Sequence, residues 1–419
     1  MPSFLRECRF ALRERTFAVA LIVAFAISAV AITVGIVDVR KQNDQIELLQ
    51  QISEADLQGA LKKVSDPGSM AYYTFHFTHA PPSALAFAAN GNRDALPWKH
   101  RIRMLALEGQ IYESDIGNPE LNLHGSLDYA FVASVLLPLL LILLLHDLMA
   151  GERRERRFEW LVASAREGEN LIRMRALARG AMLLLAILLP FVFAAPFSGA
   201  AFIDVLQIIA AVSFSALFWW LVCIWTISRV RTGAACAVVL LGLWLTFTLF
   251  VPVSAKLIAE RRIDAPSGGE ILLAQREAVN DAWDLTVEET MTPFFNAHPQ
   301  WRGATPITMS FDWWWYFAFQ QVGDQIVSAQ SQALRDAVSE RDALMGLAAY
   351  LSPPLIVERW MTRAARTDMA SYQAYEQCVR DFHAGLREYY YSVMFSARPY
   401  DQAFIDALPR FEPCHRSNG

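Results

Sequence analysis

The sequence predicts an all-α integral membrane protein with about five transmembrane helices and two mainly helical extracytoplasmic regions. Four observations predict it. Apolar residues fill 54% of the 419 positions and charged residues only 19%. The apolar residues gather in long blocks, and a block of about 18 or more is the length signal of a membrane span. Arginines crowd the segments between alternate blocks. The remaining stretches carry apolar residues at helical spacing, punctuated by proline and glycine. The net charge of −5 offers no basic face, so no nucleic-acid partner is expected.

The first block covers 16–37 and contains no charge. Arg6, Arg9, Arg13 and Arg15 precede it, a pattern that a secretory signal shares. The apolar stretch exceeds the ~7–15 residues of a signal core, so an uncleaved anchor is expected. The second block is 129–145 and ends in His146 and Asp147. The third is 176–197, with Pro190 inside it; proline is tolerated where neighbouring helices satisfy the freed carbonyl. The fourth is 201–227 and the fifth 233–254. Trp219, Trp220, Trp225 and Trp244 suit interfacial or packing positions there.

Orientation follows from the arginines. The loop 150–175 holds Arg153, Arg154, Arg156, Arg157, Arg166, Arg173 and Arg175, and the turn after the fourth block holds Arg229 and Arg231. With the N-terminal leader, all three segments fall on one side, which the positive-inside rule makes cytoplasmic. The chain then divides into a cytoplasmic N-terminus and first span (1–38), an extracytoplasmic region (39–127), four further spans (128–254) and a C-terminal extracytoplasmic region (255–419). The later stretch 344–357 is broken by Ser352-Pro353-Pro354 and is too short to cross. The C-terminus is expected in the periplasm of a bacterial inner membrane.

Helical spacing in the first outer region runs over 46–64 and stops at Asp66-Pro67-Gly68. In the second, helices are expected over 269–295, 311–345 and 369–395. The run Trp313-Trp314-Trp315-Tyr316-Phe317 suits either the membrane surface or a core between the two outer regions.

Chemistry-bearing residues are sparse. The segment from Gly151 to Val162 is charged and then amphipathic, with Glu152, Arg153 and Arg156 followed by Phe158, Leu161 and Val162. It reads as a docking helix for a cytoplasmic partner or as a topology signal in contact with headgroups. His76 and His79 lack an evident third ligand, so no metal is expected. Cys378 and Cys414 are the two cysteines expected outside, where disulfides persist, and they could pair. Cys223 and Cys236 fall in apolar blocks. His146, Asp147 and Asp204 lie at span ends. No phosphate-binding loop, HExxH or GxSxG motif occurs, so neither a catalytic set nor a cofactor is expected.

Around the second block the chain resembles the ABC-2-type transporter permeases, in the subgroup with large extracytoplasmic insertions. The resemblance rests on Asn118-Pro119-Glu120-Leu121, on Gly125-Ser126-Leu127-Asp128-Tyr129-Ala130-Phe131-Val132, on Leu136-Leu137-Pro138-Leu139, and on His146-Asp147-Leu148-Met149-Ala150-Gly151-Glu152-Arg153. Leu351-Ser352-Pro353-Pro354-Leu355 followed by Arg366-Thr367-Asp368-Met369-Ala370 resembles the late outer segment of the same subgroup. The resemblance implies a transport permease with no enzymatic activity of its own. It implies a separate cytoplasmic ABC ATPase as partner and a second permease subunit, in a homo- or heterodimer. It also implies that 152–163 is the coupling helix. The family carries a Gly-Thr pair before that helix, where this chain has Arg157-Phe158, and six spans where this sequence offers five. The competing reading is a membrane-anchored scaffold or sensor whose periplasmic regions bind a partner.

Overall fold

The computed structural model describes residues 2–113, 127–154, 168–303, 311–396 and 398–414. In chain order the first half contains α1 (Pro2–Arg13), α2 (Arg15–Leu61), α3 (Pro67–Tyr73), β1 (His76–His79), β2 (Lys99–Ile102), α4 (Leu107–Tyr112), α5 (Tyr129–Gly151) and α6 (Gly168–Ala194). The second half contains α7 (Phe202–Arg229), α8 (Gly233–Arg262), α9 (Gly268–Asp281), α10 (Val287–Ala297), α11 (Trp313–Ala349), α12 (Pro353–Ala364), α13 (Met369–Met394) and α14 (Gln402–Asp406).

Five helices, α2 and α5 to α8, are long and apolar enough to cross a bilayer, the build of an integral membrane protein. They coincide with the five apolar blocks. Ile22, Leu185, Phe193 and Val238 are each more than half exposed, an apolar surface that suits lipid rather than water. Inside the bundle, Tyr129, Leu183, Phe191 and Trp219 are fully buried. The Tyr129 and Phe191 rings stack at 5.5 Å, and the Tyr129 hydroxyl donates to the carbonyl of Ile187 at 3.2 Å. The amphipathic α1 lies against α6, joined by Arg175 to Glu7 at 2.9 Å.

Nothing between 38 and 61 breaks a helix, so the first span and the periodic stretch after it fuse. The result is one 47-residue helix. At 1.5 Å per residue it is about 70 Å long, more than twice the ~30 Å of a hydrocarbon core. α2 therefore carries the chain well beyond the bundle. It ends at Leu61, and Asp66 then caps α3, accepting from the Ser69 amide at 2.8 Å.

Beyond the bundle the two outer segments share one body. Met70 and Met104 from the first pack with Phe294, Phe317, Phe319 and Tyr391 from the second. Trp314, Trp315 and Phe317 are buried, and Trp313 lies against Gly68. The aromatic run is thus core between the two segments. The Trp315 indole donates to Thr290 at 2.7 Å.

Two expectations need correction. The fold is not purely helical: β1 and β2 pair antiparallel, with His76 opposite Ile102 and His79 opposite Lys99. The helix expected over 269–295 is two helices, α9 and α10. Thr286 and Glu289 form a reciprocal capping box at the start of α10, which satisfies its first amides and makes a new helix start favourable there.

Candidate functional site at the junction of bundle and outer body

Prolines create the junction. Pro138 in α5 and Pro252 in α8 lack an amide hydrogen and push away the carbonyl four residues earlier. Each is preceded by a π-helical turn, Val132–Leu136 in α5 and Thr246–Phe250 in α8. Wider turns of this kind leave carbonyls available to other donors, and they recur at functional places in helices. Here neighbouring helices supply the donors. Ser215 of α7 donates to the Ala133 carbonyl at 2.7 Å. The Trp244 indole of α8 donates to the Val135 carbonyl at 3.2 Å. Ser352 donates to the Phe247 carbonyl at 2.6 Å.

Ser352 belongs to the turn between α11 and α12, so a hairpin from the outer body reaches into the bundle. α12 packs on α7, on both π turns and on the start of α5. Its Val357 and Met361 are fully buried in the bundle core. Trp244 meets Val135, seven residues along α5 from the helix cap at Asp128, and Phe247 lies three residues nearer the outer body. At 1.5 Å per residue the Ser352 turn sits roughly 5–10 Å below that cap. Asp128 also accepts from the Asn90 amide at 2.9 Å, tying the outer body to the start of α5. On the hairpin itself, Arg359 makes a paired contact with Asp342 at 2.7 and 2.8 Å, the geometry that makes arginine–carboxylate bridges strong. Movement of α5 or α8 therefore has a direct mechanical route into the outer body.

Sequence reading missed this role of α12. The stretch 344–357 fails as a span because of Ser352-Pro353-Pro354. The serine caps α12, accepting from the Leu355 amide at 3.3 Å, while the prolines fit its first turn. Leu355, Val357 and Met361 on one short helix were the available signal, a stripe too brief to separate from an ordinary soluble helix.

At the opposite end, the short helix Leu148–Arg154 closes α5 and touches α6, α7 and α8. Leu148 and Met149 pack on the bundle core. The backbone is described through Arg154, so Glu152 and Arg153 lie on this helix. Arg156, Phe158, Leu161 and Val162 fall outside the described residues, as does the rest of the expected coupling helix.

Within the outer body, charge is paired. Glu108 accepts from Arg380 at 3.0 and 3.1 Å and from Ser331 at 2.7 Å. Burial raises the Glu108 pKa, but the bonds and charge of Arg380, with Ser331 and Arg335, outweigh it and hold the carboxyl below its ordinary value. Asp324 meets Arg387 at 2.7 Å and accepts from the amides of Leu107 and Glu108, supplying the cap of α4. Burial keeps its pKa raised against Arg387 and those amides. His76 lies edge-on to Phe382 and His100 stacks on Tyr375. Burial lowers both imidazoles to about 4. These histidines are packing groups, and no cluster of metal-ligating side chains occurs among the described residues. Cys378 and Cys414 are disulfide-bonded, with Cα atoms 6.0 Å apart, so the tail is tied to α13. Cys223 and Cys236 are buried in the bundle.

Residues 269–413 match the family model described as Domain of unknown function (DUF3526). That segment supplies α10 to α14, nearly all of α9, and the hairpin at the junction. No curated protein and no solved structure matches the chain.

Proposed function

We propose that this chain is the membrane-spanning permease subunit of an ABC-2-type exporter in a bacterial inner membrane, with its N-terminus cytoplasmic. A separate cytoplasmic ATPase powers it, and a second permease subunit completes the pathway. The observation that carries this reading is the charged and then apolar segment 152–163 directly after α5. The helix leading into it packs on the ends of α6, α7 and α8, so a push delivered there reaches several spans together. The α11–α12 hairpin, bonded to the π turn of α8, would pass that movement to the outer body.

Affinity purification in mild detergent tests the proposal, with ATPase activity recorded in the eluate. A P-loop ATPase should co-purify, and Phe158→Ala with Leu161→Ala should release it. If no ATPase appears, even after crosslinking in the native membrane, the permease reading fails. A membrane-anchored scaffold or sensor then becomes the better account, supported by the separate aromatic core of the outer body.

A further inference from the structure

A cavity of about 280 Å³ opens in the outer body. The loop 79–98 forms one wall, and the α12–α13 turn with the face of α13 forms another. The Cys378–Cys414 bridge lies at its edge. The walls are joined backbone to backbone: the Asn92 amide donates to the Thr367 carbonyl at 2.9 Å. The approach needs glycine at position 91, where φ is +52° and a side chain would meet that same carbonyl.

Most of the lining is apolar or aromatic, notably Pro81, Pro82, Leu96, Trp98, Tyr372 and Ala374. At about 30 Å³ per water-sized group the space holds roughly nine such groups. That suits one ring or a short chain and is too small for a two-chain lipid.

The polar lining carries positive charge. Arg93 is half-buried in the wall. Its Nε and Nη2 donate to Gln42 of α2 at 3.1 and 2.7 Å, and Nη2 also donates to the Ala80 carbonyl at 2.9 Å. Both acceptors are neutral. No carboxylate lies within ion-pair distance of Arg93 among the described residues, and Nη1 has no hydrogen-bond acceptor there. Arg366 also lines the space and is exposed. Asp368 also lines the space and accepts from the Ser371 amide and hydroxyl, while Asp94 lies nearby and accepts from the Asn90 side chain. His79 is held neutral by burial, which lowers its pKa. Burial also pulls the Arg93 guanidinium down to about 10, against the charges of Tyr375 and Asp94. A partly desolvated guanidinium whose hydrogen bonds all go to neutral acceptors gains from an anion placed against it.

We propose that this cavity binds a small organic anion: one carboxylate or phosphate, met by Arg93, on an aromatic or short apolar body seated against Trp98 and Tyr372. The assignment does not rest on the permease reading, because it follows from the outer body alone.

The test is calorimetric titration of the full chain in lipid nanodiscs with 3-phenylpropionate, its uncharged amide, phenyl phosphate and inorganic phosphate. At least one ring-bearing anion should bind saturably, and the amide at least tenfold more weakly. Comparing the two ring-bearing anions identifies the preferred head. Arg93→Gln should weaken binding by at least tenfold, with Arg93→Lys recovering part of it. Ala374→Phe fills the space without touching a polar contact and should abolish binding, which keeps the test valid if Arg93→Gln fails to fold. Equal affinity for the amide overturns the proposal, as does undiminished binding in folded Arg93→Gln or Ala374→Phe. Inorganic phosphate binding as tightly as phenyl phosphate removes the apolar body and overturns the ligand class. No saturable binding by either ring-bearing anion overturns it entirely.

Discussion

Replacing His100 with phenylalanine should flatten the acid sensitivity of the outer body without weakening it at neutral pH. The His100 ring is buried against Tyr375, with centroids 5.7 Å apart, and neither ring nitrogen has a hydrogen-bond partner. Burial, with a smaller contribution from the Arg380 charge, lowers its pKa from 6.5 to about 4. The unfolded chain therefore binds a proton that the folded chain refuses between those values. Stability from this group is full above pH 6.5 and falls as the pH drops towards 4, below which nothing further is lost. The gap of about 2.5 between the two pKa values corresponds to roughly 3 kcal/mol. By pH 5 the loss reaches about 2 kcal/mol. For a body of this size each kcal/mol lowers Tm by roughly 2–4 °C. His76 and His383, also lowered by burial, act in the same sense, while Asp324, raised by burial, acts in the opposite one. The variant leaves all three in place, so the comparison isolates His100. Tryptophan-fluorescence melts of both proteins from pH 7 to pH 4.5 provide the measurement. Wild type should lose about 4–8 °C more than His100→Phe by pH 5. Parallel pH profiles for the two proteins would refute the reasoning, because the proton uptake would then reside elsewhere.

Two further perturbations probe the packing. Arg380→Met leaves the Glu108 carboxylate buried with its main partner gone and should cost about 3–5 kcal/mol, while adding Glu108→Gln should recover part of that; a double variant melting no higher than the single one would contradict the pairing. Gly35→Ala places a methyl group against the backbone carbonyl of Phe87, where neither helix α2 nor the chain at 85–89 can yield cheaply. A loss of about 1–3 kcal/mol is expected, and a wild-type melting curve would refute that close approach.

The amino-acid sequence alone determined the membrane character of this chain. Each span announces itself because a bilayer demands about 20 consecutive apolar residues, a local requirement that needs no knowledge of partners. Thr16 to Val37 could be read from its own composition. The same holds for α11 and α13, whose apolar residues recur at helical spacing over many turns. Cys378 and Cys414 could be named as a candidate pair, but bonding them required the fold to bring their Cα atoms to 6.0 Å. The split of 269–295 turned on one capping box, a local event that competes with a continuous periodic pattern.

Other features were decided only by tertiary structure. Arg380 and Glu108 lie 272 residues apart, and no spacing rule connects them. The two outer segments carry separate apolar patterns and become one body only when α3 and α11 bring Met70 and Phe317 into one buried cluster. The burial of α12 was hidden for the same reason. A 12-residue helix is too short to signal a membrane setting, and its depth depends on π turns in helices more than a hundred residues away. The setting of the Arg93 guanidinium is likewise a product of assembly. Arginine is ordinary on a surface, and it becomes informative once the fold surrounds it with neutral acceptors and aromatic walls.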